Sequence, residues 1–329
     1  MYTAPPLVRS RLTPDGAPSN VVCIRYENGR CVEMGGVPFK VGQRVAGMLP
    51  LMHTRWGACA QLVAVSAAHM AVVPDAVSLQ DAAALPLTAL TVTQGLSGLG
   101  AVALAGMKGK RALVQAGAGG VGTFATQWLG SVLGMDVSAT SSKHNLGFLR
   151  DTLGVKDAID YRARDVLQEG GKFDLVIDPM SYMYEEDTLR RGGKVLADDG
   201  HAAYVNILGS DWALDAAGKE KGVGPVTFAN WAQYKACALL RTVSFGFLGG
   251  GGGGDRDAMA GVCGNGLRYE LVFVNPDGGM LARVLEEVAQ GSVKAVVDRT
   301  FKLEDAAAAF DYLELGHARG KVLLDIPVM

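Results

Sequence analysis

Six residues, Gly117-Ala118-Gly119-Gly120-Val121-Gly122, constrain this chain more than any other stretch. They follow the apolar run Arg111-Ala112-Leu113-Val114-Gln115. They open a helix-like segment, residues 121–133, that stops at Gly134. Glycines at 117, 119 and 122 match the pattern G-x-G-x-x-G, and the strand before and helix after make that pattern specific. In this reading Gly117 permits the tight turn and Gly119 lets the backbone approach a pyrophosphate. Gly122 lets the helix pack closely on the strand. The helix N-terminus then offers free N–H groups and a positive dipole end to phosphate. A chain with this turn is expected to build a doubly wound parallel sheet.

The rest of the pattern agrees from residue 110 onward. Asp136-Val137-Ser138-Ala139-Thr140 reads as a second strand, and residues 146–153 as a helix closed by Gly154. Further strands are expected at residues 173–178, 194–196, 202–205, 243–247 and 270–274, with a helix at 281–290. Strands alternating with helices imply βαβ units. Before residue 110 the texture differs. Short β-like runs lie at residues 21–24, 30–34, 44–47 and 60–65, which predicts a small β-rich unit. Residues 1–36 carry Pro5, Pro6, Pro14 and Pro18 and read as irregular apart from those runs. Residues 78–93 read as helical, with Ser78 as N-cap and Asp81 in the first turn. The six glycines of residues 249–254 read as a surface loop.

Composition excludes several classes. With 329 residues the chain is long enough for about two domains. Hydrophobic residues make up 49% and charged residues 19%, which excludes general disorder. The net charge of −2 argues against a protein that lives by neutralising phosphates of nucleic acid. Two long uncharged stretches, residues 82–107 and 112–135, exceed a bilayer's thickness. Pro86, Gln94, Gln115, Gln127 and the glycines make them buried parts of a water-soluble fold instead. The five cysteines, Cys23, Cys31, Cys59, Cys237 and Cys263, are odd in number and show no CxxC spacing, so neither a disulfide framework nor a structural zinc is expected. His53, His69, His144, His201 and His317 are scattered without ligand spacing, and no metal is expected. There is no G-x-S-x-G elbow to support a hydrolase. The readings together place the chain in a reducing, intracellular compartment, cytoplasmic or, as only a family resemblance suggests, mitochondrial. Arg9 and Arg11 in an acid-free opening are faintly transit-like, and the alternative is an ordinary terminus.

The position about 20 residues past Gly122 selects between dinucleotides, because an acid there would grip the ribose 2′-hydroxyl of NAD. Ser142 occupies it, followed by Lys143 and His144. A hydroxyl and an ammonium suit a 2′-phosphate, so NADPH is expected with Ser142 and Lys143 as the grip. The alternative for Lys143 is a solvated residue at a helix start.

The turn Gln115-Ala116-Gly117-Ala118-Gly119-Gly120-Val121-Gly122 resembles that of the zinc-independent medium-chain dehydrogenases/reductases, among them the quinone oxidoreductases. Other segments agree in order. Phe39-Lys40-Val41-Gly42-Gln43-Arg44-Val45 is similar to the family's FKVGDRV, and Leu85-Pro86-Leu87-Thr88-Ala89-Leu90-Thr91 to its LPxxxLT helix. Residues 153–161 resemble LGADxVIDY, and residues 316–324 resemble GHARGKVVL. The ending and residues 269–276 look closest to the mitochondrial reticulon-interacting oxidoreductase branch.

This resemblance implies a Rossmann domain plus a GroES-like β-rich domain, with boundaries of 1–95 with 293–329 for the GroES-like catalytic domain and 96–292 for the NADPH-binding domain. It implies hydride transfer from NADPH to a quinone or α,β-unsaturated carbonyl, and a homodimer. Residue by residue, it places Thr91, Phe273 and Val274 near the nicotinamide and gives the backbone at Ala118, Gly119, Gly120 and Val121 to the pyrophosphate. Ser142, Lys143 and Tyr161 would surround the 2′-phosphate end, and Lys321 would lie near the cofactor cleft. The alternatives are a packed core tyrosine for Tyr161 and a solvated lysine for Lys321.

Three departures stand out. The FKVGDRV-like segment begins already at Phe39, so the GroES-like domain is expected to be shortened at its start. Gln43 replaces the family's Asp. Asp178-Pro179-Met180-Ser181-Tyr182 stands where the family has glycines. No catalytic side chain is assigned by sequence. A catalytically weak NADPH-binding scaffold or complex subunit is the alternative to an active reductase.

Overall fold

A computed structural model describes residues 39, 43–51, 57–60, 63, 65–100, 104, 106–166, 172–180, 195–197, 202–207 and 268–326. For Tyr2–Thr3, Val21–Val22, Arg25–Glu27, Arg30–Glu33 and residues 268, 269 and 271 it describes the backbone alone. The glycine run 249–254, the strand expected at 243–247, His53, His201 and three of the five cysteines lie outside the described residues.

The chain divides into two compact units: residues 1–94, 118–132 and 274–329 form one, and residues 95–117 and 133–273 the other. The second unit is built on a six-stranded sheet in the spatial order Asp157–Asp160, Asp136–Ser141, Arg111–Val114, Leu175–Asp178, Ala203–Ile207, Arg268–Val272. Every pairing is parallel. The chain winds outward from Arg111–Val114 in one direction, then returns to Leu175–Asp178 and winds outward in the other. That reversal lies between the first and fourth strands, whose carboxyl ends carry Gln115 and Asp178. It is the doubly wound arrangement expected of the sequence.

Its central strands are apolar because both faces are covered. Ala112, Leu113, Val114, Leu175, Val176 and Ile177 are fully buried. One cluster gathers Leu113, Ile159, Phe173, Val176, Val195 and Tyr204. Close packing also marks the outer strands: a methyl group on Gly95 would lie 2.7 Å from the side chains of both Val205 and Val272. The second of the long uncharged stretches thus supplies a central strand and a turn. Among the described residues no helix is long and apolar enough to cross a membrane.

The first unit is assembled from short strands. Val45–Gly47 pairs antiparallel with Met70–Val72. Tyr2–Thr3, Lys321–Asp325 and Val297–Lys302 form a parallel three-stranded sheet. The pairing of Tyr2–Thr3 corrects the expectation that the opening residues are irregular. The expected helix at 78–93 is two helices, Leu79–Ala84 and Pro86–Gly98. Pro86 has no N–H to continue the first ladder but is suited to open the second. Ser78 caps as expected, accepting the Asp81 N–H at 3.0 Å. The helix expected at 281–290 runs Gly278–Ala289, and Asp277 caps it by accepting the Met280 N–H at 2.8 Å.

Gly278 marks a close crossing. A methyl group there would lie 2.1 Å from the Met70 carbonyl oxygen and 2.9 Å from that of Ala68. Both neighbours are backbone and cannot swing aside. Gly278→Ala is expected to destabilise the chain by about 3 kcal/mol, read as a lowered urea midpoint at unchanged m-value.

Candidate functional site

The turn starts in the parallel-sheet unit. Gln115 ends the first strand and donates its N–H to Ile177 O at 3.0 Å. Ala116 follows with φ of 50°, a left-handed conformation that alanine adopts only under constraint. Gly117 N–H then donates to Thr140 O at 2.8 Å. The sharp bend falls on Ala116 rather than on Gly117, which corrects the role expected for that glycine. Gly117 is needed for space: a methyl group on it would lie 2.7 Å from Ala139 Cβ and 3.2 Å from Leu149 Cδ2.

The same unit holds the outer end of the expected site. Tyr161 N–H donates to Ser141 O at 3.3 Å, which sets it next to the residue that precedes Ser142 and Lys143. Ser142 Oγ lies 3.2 Å from His144 Nδ1 and accepts from Asn145 Nδ2 at 3.4 Å. Lys143 and His144 are exposed. Tyr161 is 43% exposed, so it is a surface residue and not the packed core tyrosine of the alternative reading. The guanidinium of Arg162 sits 5.5 Å from the Tyr161 ring centroid. Sequence reasoning missed Arg162, although it directly follows the Asp160-Tyr161 pair that the resemblance singled out. At the reversal point, Asp178 is fully buried. It accepts the Met180 N–H at 2.9 Å and the Tyr204 hydroxyl.

The chain enters the other unit between Gly117 and Ala118. There the helix Gly120–Gln127 begins with Gly119 at its N-cap and no side-chain cap. Its first N–H groups are left for another acceptor. A five-residue π turn, Trp128–Val132, completes the segment expected as one helix, and Gly134 ends it at φ 68°. The returning C-terminal segment is fastened to both ends of this helix. Gly320 N–H donates to Ala118 O at 2.9 Å. Gln127 exchanges two hydrogen bonds with the Lys294 backbone, at 2.9 and 3.0 Å.

Lys321 follows Gly320 and lies over the helix start. A methyl group on Gly120 would meet Lys321 Cδ at 3.0 Å, Gly320 O at 3.3 Å and Thr88 Cγ2 at 3.4 Å. Burial holds the Lys321 ammonium below the ordinary lysine range. It makes no ion pair with any described residue. Lys321 is half-buried rather than fully solvated. Lys321 lines a small cleft of about 10 Å³ with Leu85, Thr88, Gly120 and Thr123, room for roughly one water. A desolvated cation and a bare helix N-terminus, both positive and side by side, fit an anion such as phosphate.

Thr91, 3% exposed, donates its hydroxyl to Leu87 O at 2.6 Å on its own helix. Phe273 and Val274 are half-buried, and the chain passes from one unit to the other between these two residues. Among the described residues no three His, Cys, Asp or Glu side chains are grouped to hold a metal ion.

Comparison with known proteins gives a consistent result. Residues 153–324 match the family model described as zinc-binding dehydrogenase. The chain is 30% identical over 294 residues to the mitochondrial NAD(P)H oxidoreductase RTN4IP1 of Danio rerio, covering 88% of this chain and 67% of that protein. It is 27% identical over 293 residues to the Homo sapiens protein of the same name, covering 88% and 65%. The chain thus spans about two thirds of the length of these curated relatives. Among solved structures it shares its fold with the Escherichia coli quinone oxidoreductase complexed with NADPH, at a TM-score of 0.62 and 22% identity over 92% of this chain and 81% of that one. The quinone oxidoreductase of Coxiella burnetii aligns at 0.62 and 21%, over 93% and 78%.

The desolvated Lys321 has a measurable signature. Its folded pKa lies below its unfolded one, so between the two values the unfolded chain holds more protons, and stability rises with pH through that window. Lys321→Met keeps the aliphatic stem and removes the charge. It is expected to raise stability at neutral pH by about 1 kcal/mol and to flatten the rise at alkaline pH. Thermal unfolding of both forms from pH 7 to 11 checks this.

Proposed function

Since the chain belongs to the zinc-binding dehydrogenase family and is similar to mitochondrial NAD(P)H oxidoreductases, we propose that it is an NADPH-dependent oxidoreductase reducing a quinone or an α,β-unsaturated carbonyl without zinc. The observation that carries the reading is Lys321, a desolvated ammonium with no acidic partner among the described residues, set over the start of the Gly120–Gln127 helix. Together with the backbone N–H groups of Ala118, Gly119, Gly120 and Val121, it would hold the pyrophosphate. Gly117 leaves room there for Ala139 and Leu149, and Gly122 would let the helix pack closely. Ser142, Lys143 and Tyr161 would take the 2′-phosphate end, with Arg162 added to them from the structure. Thr91, Phe273 and Val274 would flank the nicotinamide. When bound, the nicotinamide supplies the hydride. The protein's part is to orient it, exclude water and leave space for the acceptor. The functional boundaries near residues 95 and 293, a GroES-like first domain and a homodimer belong to the same proposal.

A second reading, an NADPH-binding scaffold of weak activity, draws on the substrate side. There the Thr91 hydroxyl is turned back onto Leu87 O, and no catalytic acid is assigned among the described residues. The two readings agree on binding and differ on turnover.

Calorimetric titration of the chain is expected to give tight NADPH binding and NADH binding at least tenfold weaker. Lys143→Glu is expected to raise the NADPH dissociation constant by about tenfold or more, roughly 1.4 kcal/mol, while changing that of NADH less than threefold. Equal losses for both nucleotides would remove Lys143 from the 2′-phosphate site. Turnover of quinone or enone substrates unaffected by dialysis against a chelator would support the zinc-free enzyme. Tight NADPH binding without turnover would favour the scaffold.

A further inference from the structure

Three hydrogen bonds meet at Thr140, at the carboxyl end of the strand next to the turn. Its hydroxyl donates to Gln115 Oε1 at 2.6 Å and accepts the Ala116 N–H at 3.1 Å. Its carbonyl accepts the Gly117 N–H at 2.8 Å. Gln115 and Thr140 are 1% and 3% exposed, so these bonds are shielded from water. Gln115 Nε2 is buried with no hydrogen-bond partner among the described residues, and its Oε1 accepts from Thr140. Ala116 between them has φ of 50°, the sole non-glycine positive φ among the described residues. Left to itself an alanine would leave that conformation.

We propose that Thr140, oriented by Gln115, is a positioning residue for the phosphate-binding turn. One hydroxyl, donating to the carboxamide and accepting from the backbone, pins Ala116 in the left-handed region. That bend sets the direction in which the chain leaves the strand toward Gly117 and the residues beyond it. The device acts on the path of the backbone and is indifferent to the 2′-phosphate. It should therefore affect both nucleotides equally, unlike Lys143. The effect on affinity rests on the cofactor reading above; the effect on the turn does not.

The test uses the full chain and the variants Thr140→Val, Thr140→Ser, Ala116→Gly and the double variant Thr140→Val/Ala116→Gly. Amide hydrogen exchange over residues 115–122 reports the turn without ligand, and calorimetry reports NADPH and NADH. Thr140→Val keeps the shape and loses the hydroxyl. It is expected to speed exchange in the turn about tenfold and to weaken both nucleotides by a similar factor. Thr140→Ser should stay within threefold of wild type. Ala116→Gly should recover most of the loss in the double variant, because glycine reaches φ of 50° without strain. A packing defect at Thr140 would not be repaired in that way. Unchanged exchange in Thr140→Val, or no recovery in the double variant, overturns the proposal. Should Thr140→Val fail to fold, Gln115→Met removes only the acceptor: faster exchange in the turn supports the proposal and unchanged exchange overturns it. Wild-type protein that binds neither nucleotide would remove the cofactor reading, while the exchange data would still decide the role of Thr140.

Discussion

The hydrogen bond from the Gly320 N–H to the Ala118 carbonyl fastens the returning C-terminal segment to the start of the glycine-turn helix. The rest of the site in that unit depends on it. Gln127 makes the matching attachment at the other end of the helix through the Lys294 backbone. Gly320 can make its bond only as glycine. Its φ is 70°, and a methyl group on it would lie 2.3 Å from the Val296 carbonyl oxygen. Because Lys321 is the next residue, the same bond decides where the ammonium sits. A helix N-terminus that ends among protein groups normally finds a capping side chain. This one finds a lysine, which cannot cap it and adds to its positive field.

The two cations of the proposed site differ in physical character. Lys321 is half-buried and has no acidic partner among the described residues, so its field is less screened than that of a surface lysine and favours an anion. Lys143 is exposed, beside His144 and near a loop carrying Arg162, and its pull is weakened by salt.

Much of the sheet was legible in the sequence because its central strands are buried on both faces. Runs such as Leu175-Val176-Ile177 leave no other reading. The turn was legible because three glycines at fixed spacing have few other uses. The positions hidden from the sequence are those set by distant partners. The left-handed bend at Ala116 depends on Thr140, 24 residues away. Nothing local to an alanine announces such a conformation. Tyr2–Thr3 is a strand because it pairs with Leu324–Asp325, a fact outside any window of local pattern. Lys321 was named by resemblance, but its desolvation comes from the packing of Gly120, Thr88 and the cleft wall. Tyr161 shows the limit in the other direction. Its place beside Ser141 follows from the register of adjacent parallel strands, whereas its exposure does not.

The Ala118–Gly320 bond joins residues roughly two hundred positions apart, a separation that makes chain closure slow compared with forming a helix or a hairpin. The ribosome releases the glycine turn and its helix long before Gly320 exists. During that interval the helix has no tether at either end, and its apolar face, which includes Phe124 and Leu129, is without its final partners. The parallel sheet can assemble around Arg111–Val114 in the meantime, but the helix start is finished only when the last strand arrives. The attachment of the helix start is thus a late event in the life of each molecule. A chain interrupted before Gly320 would carry the entire glycine motif and still lack the bond that holds the start of its helix.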